Sequence, residues 1–203
     1  MRHRFTARDF TGLIGMEGFS EEMLHEHFKL YAGYVDNANK LLEVLDNKTK
    51  EAKAPDFAEV KRRLGFELNG IRLHELYFEN LGGDSRLEAA QILATPLREA
   101  FGTPDAWLQD FKATCMLRGT GWCVLYHDPW TGSMANTWID EHQNGHPAGW
   151  TPLLVLDAWE HAFMLDYHQD RAAYVEAFLQ NVNWPTVEFR LTETIRAERG
   201  VHI

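Results

Sequence analysis

Two long segments in the first half of the chain carry apolar side chains at three- and four-residue steps, and each sets a histidine on its apolar stripe. In the first, Met23, His27, Tyr31, Tyr34, Ala38 and Leu41 recur at helical spacing and share one face. Ser20 precedes it as a helix cap, with Glu21 and Glu22 in the first turn, where the helix dipole favours negative charge. A polar break over residues 47–55 separates it from a second helix, expected over 56–81 and stopped by Gly82-Gly83. Phe66, Gly70, Leu73, His74 and Tyr77 mark the inner face of that second helix. Neither helix can bury its stripe alone, so the two are expected to fold back on each other as a hairpin.

The periodicity changes after residue 116. Residues 87–101 read as a short helical connector, and Thr103-Pro104-Asp105 caps a further helix that ends near Met116. Residues 122–126 are then apolar and β-prone, 128–132 form a turn, and 134–139 resume extended character as a β-hairpin. Residues 153–156 make a short buried strand. A helix over 167–182 follows, broken at Asn183-Trp-Pro185 before a last helix over 186–199. The fold class is therefore α+β: an N-terminal helical hairpin domain, 1–82, followed by an α/β domain, 83–203, with a small three-stranded antiparallel sheet.

Bulk properties exclude several functions. A net charge of −10 over 203 residues lacks the basic footprint that phosphate neutralisation requires, which argues against nucleic-acid binding. The basic start, MRHRFTARDF, is followed by no apolar stretch, so neither a signal peptide nor a membrane span is expected and the reading is cytoplasmic. Two cysteines, Cys115 and Cys123, are too few for a disulfide framework and lack the spacing of a zinc or redox pair. Ten histidines are the more informative count, because imidazole is a common ligand of first-row metals.

Four inward positions on separate elements carry metal-competent side chains: His27, His74, Asp157 and His161. Three imidazoles and one carboxylate suit iron or manganese, whereas structural zinc sites more often enlist cysteine. Each histidine taken alone also fits a hydrogen-bonded core residue. Asp157 and His161 likewise fit a metal-free pair at helical i, i+4 spacing.

The run Asp157-Ala-Trp-Glu-His161-Ala-Phe resembles the D-x-W-E-H-A-Y signature of the iron/manganese superoxide dismutase family. Asp166-Tyr, Arg171-Ala-Ala-Tyr174 and Asn181-Val-Asn-Trp184 resemble the segments that follow it. Upstream, Tyr34-Val-Asp-Asn-Ala-Asn39, Asn69-Gly-Ile-Arg-Leu-His74 and Gly119-Thr-Gly-Trp122 continue the series in order. The resemblance implies one iron or manganese ion per subunit, held by His27, His74, Asp157, His161 and a water or hydroxide. The commonest family spacing back from Tyr34 falls on Glu26. His27 is preferred because it lies on the face of Tyr34, so the first helix lacks one residue, equivalent to a π-bulge, relative to that pattern. Two further departures go together: Tyr31 stands where most members carry a second histidine, and Phe163 replaces the tyrosine that pairs with it across a dimer interface.

The resemblance also implies roles around the metal. Gly70 leaves room beside His74, so the hydrogen-bond donor to the metal's water is expected from the other half of the chain, with His142 first and Gln143 second. Tyr34 stands at the substrate entrance, Trp122 and Trp159 form an aromatic wall, Arg171 draws the anion in, and Glu160 reaches a partner subunit. The implied activity disproportionates superoxide, with a homodimer, possibly a tetramer, as the assembly. Iron and manganese share this ligand set. A non-catalytic structural relative, or another mononuclear metal enzyme, is the alternative.

Overall fold

A computed structural model of the chain describes residues 4–48, 55–83, 87 and 90–201. Its first half is the expected hairpin, α1 (Glu21–Lys48) and α2 (Pro55–Glu79). Positions 49–54 of the polar break lie outside the described residues, as do 88–89 of the connector. The Ser20 hydroxyl accepts the Met23 N–H at 3.0 Å, which satisfies one of the orphan donors at the start of α1. From there α1 runs without a π turn.

The second half supplies α3 (Gln91–Phe101), α4 (Pro104–Cys115), strands β1 (Gly121–His127), β2 (Met134–Asp140) and β3 (Thr151–Asp157), then α5 (Met164–Tyr167), α6 (Arg171–Gln180) and α7 (Trp184–Val201). The sheet is antiparallel in the order β2-β1-β3. Every residue of β1 is buried, as its central place requires, and Trp122 pairs with Ile139 on one side and Asp157 on the other. Thr103 caps α4 by accepting the Ala106 N–H, with Pro104 in the first turn, where no amide donor is needed.

Two boundaries differ from the sequence reading. The helix expected over 167–182 is divided: His168 takes φ 53°, and the Asp170 carboxylate accepts the Ala173 N–H at 2.9 Å to start α6 afresh. Pro185 does not hold the last helix off until Thr186. It sits in the first turn of α7, with Asn183 capping behind it.

One interaction set brings the two halves of the site together. The Arg190 guanidinium on α7 donates to the carbonyls of Leu153 (2.8 Å) and Leu76 (3.1 Å), to Asn80 Oδ1 (2.6 Å) and to Glu79 Oε2 (2.7 Å). Asn80 Nδ2 donates in turn to the Val155 carbonyl at 2.6 Å. These bonds fasten the end of α2 to the middle of β3, and they fix the separation of His74 from Asp157.

Candidate metal centre

His27 on α1, His74 on α2, Asp157 at the end of β3 and His161 in the 3-10 turn beyond it converge, with one ligand atom from each lying within 4.8 Å of the others. Three imidazole nitrogens face a single oxygen, Asp157 Oδ2: His27 Nε2 and His161 Nε2 at 3.1 Å, and His74 Nε2 at 3.6 Å. The second oxygen, Oδ1, accepts the Trp159 N–H at 2.9 Å, which ties the carboxylate to the turn. His27, His74 and Asp157 are buried, and His161 is partly exposed.

The proton on His74 can be assigned. Its Nδ1 lies 2.6 Å from the Gly70 carbonyl, which can only accept, so Nδ1 carries the hydrogen. Burial holds the ring neutral by pushing its pKa well below 6.5, against the opposing pull of Asp157. Nε2 is then a bare lone pair, has no hydrogen-bond partner, and points at a carboxylate oxygen. Two electron-rich atoms aimed at each other in a buried space call for a cation between them. Burial lowers the His27 pKa as well, and Asp157, which burial alone would raise, is held down by His161 and His27. The set presents three imidazole nitrogens and one carboxylate, and a divalent or trivalent iron or manganese ion fits it.

Glu26 is not part of this group. Its side chain is 65% exposed and faces Lys29 at 3.6 Å.

Around the four ligands stands a ring of aromatic groups. His74 meets the edge of Trp122 (centroids 4.9 Å apart) and the face of Tyr34 (5.1 Å), and Trp159 stacks between His142 (4.8 Å) and His161 (5.8 Å). His142 is held at both nitrogens: Trp122 Nε1 donates to Nδ1 at 3.0 Å, and Nε2 lies 2.7 Å from the Tyr34 hydroxyl. An indole N–H can only donate, so Nδ1 is an acceptor and the single imidazole proton sits on Nε2, directed at the Tyr34 oxygen. Burial lowers the His142 pKa to about 4, which keeps the ring neutral, and burial raises that of Tyr34. The Tyr34 hydroxyl thus receives one hydrogen bond and retains its own proton to give.

Gln143 turns the other way and donates to Glu141 at 3.1 Å. The room left by Gly70 is taken by the Tyr34 ring, whose Cδ1 lies 2.7 Å from where a Cβ would stand. At the two departures, the Tyr31 hydroxyl donates to Glu75 Oε1 (2.9 Å) and accepts the Arg8 N–H (3.0 Å), while Phe163 stacks on Tyr174.

Residues 18–82 match the alpha-hairpin domain of iron/manganese superoxide dismutases, and residues 89–190 match their C-terminal domain. The chain belongs to the iron/manganese superoxide dismutase family. Among its relatives, the iron superoxide dismutase of Aquifex pyrophilus is 32% identical over 96% of this chain and 94% of its own length. That of Cupriavidus metallidurans is 34% identical over 89% and 92%. A manganese superoxide dismutase of Mycobacterium lepraemurium is 35% identical over 86% and 85%. With the family established, the His27, His74, Asp157 and His161 group is the site of a metal-dependent oxidoreductase that takes one iron or manganese ion per chain. No helix among the described residues is long and apolar enough to cross a membrane.

Arg171 and Glu160 stand outside the aromatic ring. Both line a surface depression of about 600 Å³ together with Arg118, Phe163, Met164 and His168. The Arg171 guanidinium donates to the carbonyls of Leu117 (2.8 Å) and Gly119 (3.3 Å) and lies over the Phe163 ring.

Two groups near the site escaped the sequence reading. Arg63 stacks over Phe66 at 4.0 Å, and Phe66 packs on His142 at 4.4 Å, so the ion pair of Arg63 with Glu67 (2.6 Å) stands near the Tyr34 and His142 pair. The only signal was Arg63 three residues before an inward aromatic. The Tyr174 hydroxyl lies 2.7 Å from the Asp157 carbonyl and 3.1 Å from the Tyr77 hydroxyl, bracing the ligand strand from beneath. Nothing in the local sequence of Tyr174 announces that contact.

Proposed function

We propose that the chain disproportionates superoxide, two anions and two protons giving dioxygen and hydrogen peroxide, at the site of His27, His74, Asp157 and His161. The observation that carries this reading is the bare Nε2 of His74 aimed with two further imidazoles at one carboxylate oxygen. An iron or manganese ion bound there supplies a one-electron centre that alternates between trivalent and divalent states.

The chain's own groups do the rest. Trp122 and Trp159 keep bulk water from the ligands, which strengthens every charge interaction inside. Tyr34, fixed by the N–H of His142, holds a proton at its hydroxyl oxygen at the mouth of the site, where a reduced oxygen species can take it. His142, expected as the donor to the metal's water, instead gives its one ring proton to Tyr34 and acts through that hydroxyl, in preference to Gln143. Arg171 gives a local positive field at the surface despite the acidic total charge, and such steering depends on local field.

A homodimer is part of the same reading. Glu160 is exposed beside the ligand His161, and Met116, Leu117, Met164 and Leu165 are 44% to 48% exposed in the same region, an apolar rim suited to a second copy of the chain. A cytoplasmic location and division into domains 1–82 and 83–203 with the metal between them complete it, and a pair of such dimers is the alternative assembly.

Metal analysis combined with a superoxide-decay assay tests the function. The expected result is close to one iron or manganese per chain, with decay that is lost on metal removal and restored on reloading. Tight metal without superoxide decay would overturn the dismutase reading, and a chain that binds no metal would mark it as a structural relative.

A further inference from the structure

We infer that His146 and Tyr126 form a positioning pair for the reaction: together they hold the backbone at His142 so that its imidazole stays in line with Tyr34. The inference rests on the role given to His142 above.

The segment after β2 turns back on itself at once. The Asp140 N–H donates to the Asn144 carbonyl at 2.9 Å, and the Asn144 N–H returns to Asp140 at 3.2 Å. Inside that turn Glu141 has φ 52°, a left-handed conformation that a residue with a Cβ adopts at a cost. His142 follows directly, so the aim of its ring depends on backbone held away from its preference. The turn therefore needs ties to the rest of the protein. One is the Glu141 N–H, which donates to the Thr120 carbonyl at 3.1 Å.

His146 supplies the other. Its Nε2 lies 2.9 Å from the His142 carbonyl oxygen, and its Nδ1 lies 2.7 Å from the Tyr126 hydroxyl. A carbonyl can only accept, so Nε2 carries a proton, and a ring holding that one proton accepts the Tyr126 O–H at Nδ1. The bonds run in one direction from β1 to the site. Tyr126 donates to His146, and His146 donates to the carbonyl of His142. Trp122 donates to the ring of His142, and His142 donates to Tyr34. Tyr126 and Trp122 are both buried residues of β1, the central strand paired on both sides. Backbone and ring of His142 are thus both referenced to the central strand of the sheet. His146 bonds to none of the four ligands, so removing it disturbs the aim of His142 and leaves the ligand set whole.

The test uses the metal-loaded enzyme and four variants: His146→Ala, His146→Gln, Tyr126→Phe and His142→Ala. The measurements are metal content, kcat and KM for superoxide decay, and the affinity for azide, a small anionic probe read from the visible spectrum. His146→Ala is expected to keep its metal and its KM, to lose about tenfold in kcat and to shift the azide Kd about threefold, the scale of a lost supporting contact at a metal site. His146→Gln, whose amide N–H reaches the same carbonyl, is expected to recover most of that loss, and Tyr126→Phe to show part of it. A His146→Ala enzyme with unchanged kcat and azide Kd overturns the inference, as does a His146→Gln enzyme no better than the alanine variant, since lost ring volume then explains the defect. If His146→Ala does not fold, Tyr126→Phe decides, because it removes only one oxygen: unchanged kcat and Kd there also overturn it. His142→Ala separates the two readings. If that variant itself retains full kcat, the role assigned to His142 is what fails. If it is impaired while His146→Ala is not, the positioning pair alone is wrong.

Discussion

Replacing Gly70 by alanine places a methyl group against the Tyr34 ring, 2.7 Å from Cδ1, 3.0 Å from Cγ and 3.1 Å from Cε1. Ordinary contact begins near 3.4 Å, so the ring must yield by about 0.7 Å, the difference between 3.4 and 2.7 Å. It has little freedom to do so, being backed by Phe66, by His74 and by the edge of His142. Adding a comparable shift to the 2.7 Å bond between Tyr34 and His142 takes it out of hydrogen-bond range. Overpacking costs about 1–3 kcal/mol, the lost bond about 1 kcal/mol, and the better helix propensity of alanine returns about 1 kcal/mol. The net is a loss of about 1–3 kcal/mol, which for a domain of this size lowers Tm by roughly 5 °C. Gly65 is the control, since it lies on the same helix and a Cβ there meets nothing within 4 Å. Gly65→Ala is expected to raise Tm by about 3 °C and to leave superoxide decay unchanged. Thermal unfolding and kcat of both variants decide the matter. A Gly70→Ala protein that gains stability alongside Gly65→Ala and keeps its kcat would refute the close packing of Tyr34 against α2.

Two further outcomes are expected. His27→Ala should abolish metal retention, while Glu26→Ala, which removes only an exposed partner of Lys29, should leave it intact; elemental analysis of the purified variants reads the difference, and the reverse pattern would shift the ligand register by one residue. The metal-free chain should lose stability as pH falls below about 6.5, because burial depresses the pKa of His142 to about 4, and those of His27 and His74 are depressed in the same direction. The sign follows from linkage: the unfolded chain binds these protons first, so the contribution is present above pH 6.5 and declines as pH approaches 4. Urea denaturation across that range measures it, and stability that rose on acidification would contradict the burial of these rings.

The sequence by itself determined the hairpin and the three strands, because each rests on local pattern, and its resemblance to the family implied the ligand set. A stripe at helical spacing places His27 and His74 inward whatever they meet, and an apolar strand ending in Asp157, with His161 four residues on, positions two ligands within one short segment. The register of α1 could be argued too, since only His27 shares the face of Tyr34. What only the tertiary structure decided are contacts between residues far apart in the chain. Arg190 looks like a solvated charge on a terminal helix until it is seen to fasten α2 to β3. His142 and Gln143 are neighbours in one polar loop, and only a left-handed Glu141 and the indole of Trp122 turn the first toward Tyr34 and the second toward Glu141. The space beside Gly70 looked like room for a donor, yet it is filled by the ring of a tyrosine from another helix. Periodicity specifies which way a side chain faces. What it meets there depends on packing between elements, and hydrogen-bond direction depends on which partner can donate, so both are settled only when the chain is folded.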